Sequence, residues 1–368
     1  MAGTMTLFLG GDVMTGRGID QVLPYSVDPV LHEPHSRDAR HYVELAEEAS
    51  GPIERPLAYQ DLWGVALTVL ERVRPDARII NLETAVTTSD DWDRRKRIHY
   101  RMHPGNVGLL RTARIDACVL ANNHVLDWGR TGLLETLQAL RATGVRTAGA
   151  GRDLAEARAP AALETKSGRL LVFSNALPGA GVPLDWNATP VRPGVNVLPD
   201  ATDEQVERVA AEVRGYRRPG DRTLVSLHWG PNWGYGVPLT HRRFARRLVD
   251  ERVADIVFGH SSHHPMAAEV YSGRLILYGA GDLLNDYEGI GGREEFRPEL
   301  TLMYFPVLEP DGALASLELV PLRVRRLRLE PASADEGSWL AERLTREGRA
   351  LGTAVEHTPG GTLQLRWG

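Results

Sequence analysis

Short apolar runs alternate with stretches of helical periodicity through the first 260 residues, the texture of an α/β fold built on crossover connections. The runs Thr6 to Gly10, Ala77 to Leu82, Ala117 to Ala121, Leu170 to Ser174, Thr223 to His228 and Asp255 to Gly259 read as strands. Between them, apolar residues recur at three and four spacing, as in Leu133, Leu137 and Leu140 or Val206, Val209 and Val213, and predict amphipathic helices. Thr131 and Gly144 are the expected start and stop of the first. Beyond residue 265 the pattern turns strand-like, in Ala267 to Tyr271, Arg274 to Tyr278, Leu300 to Leu308 and Leu314 to Leu322, with Ser272-Gly273 as a hairpin turn. Residues 20–60, rich in Pro, His and acidic side chains, read as an inserted loop. Residues 178–200 carry five Pro and three Gly and predict a second irregular segment. The organisation expected is a main domain over 1–325 and a helix-and-strand extension, 326–368, packed on it.

Composition narrows the function classes. A net charge of −5 over 368 residues provides no basic footprint, so nucleic acid is not an expected partner. No apolar run approaches the roughly 20 residues that span a bilayer, and the N-terminal segment before Gly10-Gly11-Asp12 has no basic n-region or long h-region. A cytoplasmic protein with no membrane partner is expected. The single cysteine, Cys118, excludes an internal disulfide framework and a Cys-rich zinc module, and its apolar surroundings make it a small buried hydrophobe. Only Lys96 and Lys166 are lysines among 43 basic residues, and the run Arg94-Arg95-Lys96-Arg97 reads as a solvated loop, with contact to a substrate carboxylate or phosphate as the alternative.

Polar residues cluster at the ends of the predicted strands. Gly11-Asp12, Asn81-Leu82-Glu83, Asn122-Asn123-His124, His228-Trp229-Gly230 and Gly259-His260, with His263-His264 beyond, each close an apolar run with groups that bind metals or transfer protons. In a mostly parallel sheet the carboxyl ends of the strands share one edge, so the five segments are expected to converge. Such a set makes an oxygen and imidazole cage for a divalent ion. Trp229, Trp233 and Tyr235 either line a peptide groove or pack under their loop. Arg17 and Arg101 either hold a substrate carboxylate or form structural ion pairs. Asp282, in Gly281-Asp282-Leu283, either orients a histidine or caps a turn.

The blocks Gly11-Asp12-Val13-Met14-Thr15-Gly16-Arg17, Asn81-Leu82-Glu83, Asn122 to Gly129, His228-Trp229-Gly230 and Gly259 to Pro265 resemble, in order, the signature segments of the CapA family. That family is associated with poly-γ-glutamate capsule synthesis and has a calcineurin-like metallophosphoesterase fold. The resemblance implies two β-sheets packed face to face and flanked by helices. It further implies Glu83 as a bridging carboxylate, Asn123, His228 and His260 as metal ligands, with His263 or His264 completing the paired-histidine segment, and Asp12 and His124 as acid/base groups. Met14 stands where the phosphatase pattern has a histidine, and a thioether is a poor partner for a hard cation. One divalent ion (Ca, Mg, Mn or Zn) is therefore expected, with no organic cofactor.

A single ion flanked by acids and bases suits proton transfer at the Cα of a peptide. Actinobacterial proteins resembling this family invert a residue of a lasso-peptide precursor, so epimerisation of such a peptide is the first expectation. Hydrolysis or ligation of γ-glutamyl, peptide or phosphoester bonds is the alternative, and a polymer-binding accessory role without catalysis is a third.

Overall fold

The computed structural model describes residues 3–368. Strand β1 (Met5–Val13) pairs in parallel with β2 (Ala77–Leu82), which pairs in parallel with β3 (Ala117–Val119). On its other side β1 is antiparallel to Leu300–Leu308, and the same sheet continues through Leu314–Arg325 to the C-terminal hairpin Thr353–His357 and Leu363–Trp367. A second, six-stranded sheet has at its centre β4 (Gly168–Ala176), β5 (Arg222–His228) and β6 (Ile256–His260), all parallel.

Alternation along the strands decides how these layers stack. Leu7, Leu9, Ile79 and Val119 of the first sheet meet Val172, Leu224, Ile256 and Phe258 of the second in one buried cluster. The intervening residues Phe8, Ile80 and Cys118 face outward against helix α1 (Gly129–Ala142), through Leu133, Leu137 and Leu140. On the far side Phe173, Val225 and Val257 bury against α2 (Asp203–Tyr216) and α3 (Leu239–Asp250). Because both faces of the central strands are covered, they read as nearly continuous apolar runs. The protein is thus the α/β sandwich of two sheets flanked by helices that the resemblance implied.

Details depart from the pattern for identifiable reasons. Strand β1 runs three residues past Gly10, because Asp12 N donates to Gly281 O at 2.9 Å and Met14 N to Leu284 O at 2.8 Å. These bonds recruit β7 (Asp282–Leu284) as a parallel neighbour, with Asp12 opposite Asp282. Helix α1 begins at Gly129, two residues before Thr131, and ends where expected, with Gly144 at φ +81°. The insertion at 20–60 carries an 11-residue helix, Arg40–Ser50, whose Val43 and Ala46 enter the core. Among the described residues no helix is long and apolar enough to cross a membrane.

Gly11 sits where β1 meets β7, and a Cβ there would lie 1.8 Å from the Gly281 carbonyl oxygen. Two backbones approach too closely for any side chain. Gly11→Ala is expected to cost at least about 2 kcal/mol by forcing the strands apart, read as a fall in Tm. An unchanged Tm would mean that the strands do not approach in this way.

Candidate metal centre

The carboxyl ends of the parallel strands in both sheets converge on one buried site. Asp12 closes β1 and Asn81 lies near the end of β2, with Glu83 directly after it. His228 and His260 close β5 and β6 and are neighbours in register. All five are at most 1% exposed. Asn81 Nδ2 donates to Asp12 Oδ1 at 2.7 Å and to Glu83 Oε2 at 3.0 Å, so one amide spaces the two carboxylates. Ser261 N donates to the other Asp12 oxygen at 3.1 Å. That bond requires Ser261 to hold φ +99°, a strained conformation for a residue with a side chain.

The histidines complete two overlapping donor sets. His260 Nδ1 lies 3.7 Å from Asp12 Oδ1, and His228 Nδ1 lies 3.9 Å from Glu83 Oε2. The two Nδ1 atoms are 2.8 Å apart. His228 Nε2 is 3.1 Å from Asn123 Oδ1, an acceptor, so Nε2 carries the proton and Nδ1 the lone pair. Ser226 Oγ lies 2.7 Å from His260 Nε2. On the other side of Asp12, His263 Nδ1 lies 2.8 Å from Asp282 Oδ1. Donor atoms of Asp12, His228 and His260 lie within 4.8 Å of one another, as do those of Asp12, His263 and Asp282.

Electrostatics tests whether this set fits a cation. Burial, then the Asp282 charge, pushes Asp12 up to about 7, and burial followed by Asp12 raises Glu83 well above its ordinary value. Burial drives His260 down to about 3, and burial with His260 lowers His228, so both are neutral imidazoles. Among the described residues only histidines reach Asp12 and Glu83 as ionic partners. Carboxylates buried without a compensating cation are costly, and a divalent ion held by imidazole and carboxylate donors removes that cost. The residues fit such an ion.

Two histidine–carboxylate pairs flank the cluster. His124 Nδ1 is 2.6 Å from Asp127 Oδ2, and its Nε2 is 3.8 Å from Glu83 Oε1. Burial, reinforced by Lys96, holds His124 well below its ordinary range. Burial would lower His263 too, but Asp282 outweighs it and the imidazole is raised. The His263 Nε2 faces Asn232 Nδ2 at 3.0 Å and the Tyr287 hydroxyl at 3.4 Å.

Residues 6–287 match the family described as bacterial capsule synthesis protein PGA_cap. The chain belongs to this family. Over 364 residues it is 46% identical to a probable polyglutamine synthesis accessory protein of Mycobacterium tuberculosis, covering 98% of this chain and 96% of that one. The capsule biosynthesis protein CapA of Bacillus anthracis is 23% identical over 90% of this chain and 70% of its own. A 5'-nucleotidase precursor from Thermus thermophilus aligns with TM-score 0.44 at 14% identity, over 94% of this chain and 59% of that one.

In this PGA_cap member the other residues singled out from sequence fall in different places. His264 is turned away from the donor sets: its Nε2 accepts from Gly234 N at 3.2 Å, and burial lowers it to about 4. Trp229 is in the core, stacked 4.5 Å from His241 and donating to Tyr278 O. Tyr235 packs on His264 and under Arg343, whereas Trp233 lines a 480 Å³ cavity with Tyr42, Tyr100, Tyr287 and Ile98. Arg17 is buried on Asp286 and Glu33 and stacks 3.8 Å from the Tyr42 ring. Arg101 is held by Asp90 and the Trp128 face. Both arginines are thus occupied by protein partners.

Met14 is fully buried and accepts from the Tyr287 hydroxyl at 3.7 Å. It offers no hard donor, but His263 and Asp282 stand beside Asp12 in its stead. Sequence reasoning gave no individual role to Asp127, Tyr287 or Lys96. A signal existed for two of them: Asp127 follows His124 by three residues, and Lys96 is one of two lysines in an arginine-dominated chain.

Proposed function

We propose that this protein is a divalent-metal-dependent hydrolase of amide bonds in a glutamyl or glutaminyl polymer, an accessory activity in polymer synthesis. The observation that supports it is the pair of donor triads sharing Asp12, which offers places for two ions where Met14 alone argued for one. Names of the relatives, polyglutamine synthesis accessory protein and capsule biosynthesis protein, support the substrate class. Ions bound there would act as Lewis acids, polarising the acyl oxygen of the scissile amide.

The chain's own groups handle the protons. Asp127 accepts from His124 Nδ1, which fixes the tautomer with Nε2 free to take a proton from the attacking water. As the oxygen–carbon bond forms and the carbon–nitrogen bond breaks, the departing nitrogen takes the proton that His124 Nε2 removed from the water. The aromatic cavity lined by Tyr287 and Trp233 borders His263 and offers room for part of a substrate chain.

A second reading has one specific support. The two histidine–carboxylate pairs stand on separate loops, as proton removal and return at a peptide Cα would require, so epimerisation of a lasso-type precursor uses the same groups. One experiment separates the readings. Manganese-loaded protein is incubated in D₂O with poly-γ-glutamate, polyglutamine oligomers and a lasso-type precursor peptide, followed by mass spectrometry. Shortened polymer chains, absent with Asp12→Ala, are expected. An intact peptide that gains one deuterium at Cα would transfer the assignment to epimerisation. Binding without either change would leave a polymer-binding accessory protein.

A further inference from the structure

The segment between Ala85–Val86 and Arg101–Met102 carries the basic run 94–97, and its four members part company in the fold. Arg94, Arg95 and Arg97 are exposed, with Arg95 paired to Asp93 and Asp185. Lys96 turns inward until its side chain is 13% exposed. Its Nζ donates to the Asn123 carbonyl oxygen and to Asp127 Oδ1, and lies 3.2 Å from His124 Nδ1. The Trp186 ring covers the ammonium from 5.2 Å.

We infer that Lys96 is a positioning residue: it clamps the Asn123–Asp127 turn so that Asn123 and His124 face the donor cluster in one orientation. The inference rests on the proposed function only for the role of His124. Asp127 has two oxygens and three donors to satisfy: Lys96 on Oδ1, and Tyr100 N at 2.7 Å with His124 Nδ1 on Oδ2. An ammonium has three donors and no acceptor, so it cannot receive from Nδ1. The Asp127 carboxylate oxygen 2.6 Å from Nδ1 can only accept, so Nδ1 carries the proton and Nε2 is left without one on the side of Glu83. Lys96 also satisfies the backbone carbonyl oxygen of Asn123, whose side-chain Oδ1 accepts from His228 Nε2.

Arginine would not serve. A planar guanidinium spreads its donors in one plane, whereas a compact ammonium reaches acceptors on different sides. That accounts for a lysine at the one inward-turned position of a run that is otherwise arginine.

The test uses the full-length protein as Lys96→Met, Lys96→Arg and Lys96→Cys, the last also after aminoethylation to restore an ammonium. Cys118, the only native thiol, is buried and so escapes the reagent. Two readouts need no turnover: the His124 tautomer from ¹⁵N-histidine NMR on metal-free protein, and manganese affinity by titration. The expected result is a single Nδ1–H tautomer in the wild type, lost in the Met and Arg variants. Manganese affinity falls with it by about 10–100-fold, and aminoethylated Lys96→Cys regains both. Lys96→Arg keeps charge and bulk, so it decides the matter even where Lys96→Met fails to fold. An Arg variant with wild-type tautomer and affinity, or a lowered Tm with both unchanged, would overturn the inference. Should the wild type bind manganese but cleave no polymer, the hydrolase reading fails while these two readouts still decide the role of Lys96.

Discussion

Asp12→Ala is expected to remove metal from the protein altogether and to lower turnover by at least about 10³-fold. Asp12 belongs to both donor triads, whereas His228 and His260 belong to one and His263 and Asp282 to the other. Truncating a residue of one triad leaves a complete set on the other side, so His228→Ala and Asp282→Ala should each retain part of the bound metal. Truncating the shared carboxylate leaves a histidine pair, His228 with His260, and a histidine–carboxylate pair, His263 with Asp282, without their common charge. The magnitude follows from catalysis: an ion that stabilises developing charge contributes several kcal/mol, and each 1.36 kcal/mol is tenfold in rate. The fold should persist, because the alanine removes a carboxylate that is a burden in the metal-free state. Metal content by mass spectrometry checks the prediction, and full occupancy in Asp12→Ala would sink it.

Metal removal should destabilise the protein strongly at pH 8 and weakly at pH 5. The Asp12 carboxyl rises from 3.8 to about 7 on folding, and Glu83 shifts the same way. A carboxyl with a raised folded pKa binds its proton more tightly folded than unfolded. Its penalty is therefore absent below about pH 4, grows as pH rises and is complete above about pH 7. For Asp12 alone a shift of this size corresponds to about 4 kcal/mol. A bound cation reverses the balance, since it favours the ionised carboxylates and binds only the native state. Chelator should thus separate the two Tm curves progressively between pH 5 and pH 8. Curves that stay parallel across that range would show that the buried carboxylates are not the metal site.

Much of this site is legible in the residues because strand ends carry it. Asp12, Glu83, His228 and His260 each follow an apolar run, and parallel pairing places such ends on one edge of each sheet. Long-range registry is not legible. Asp282 joins Asp12 only because β7 pairs with β1, a neighbour 270 positions away that no local pattern announces. This pairing makes the second triad and offsets the loss signalled by Met14.

The adjacent histidines show a different limit. His263 and His264 look equivalent in sequence, but consecutive side chains point apart, and the strained turn at Ser261 decides which faces Asp282. Lys96 was hidden for a third reason: within a basic run the expectation is solvent, and burial of one member depends on the turn it meets. The same holds for the two packed sheets, which strand periodicity does not distinguish from a single sheet. Only the face-to-face burial of Leu9 and Phe258 in one cluster settles that arrangement.

The most direct test of the central claim, two ions sharing Asp12, is an anomalous-difference map from crystals grown with manganese. Two peaks are predicted, one bounded by Asp12, His228 and His260 and the other by Asp12, His263 and Asp282. A single peak, or none at either position, would contradict it.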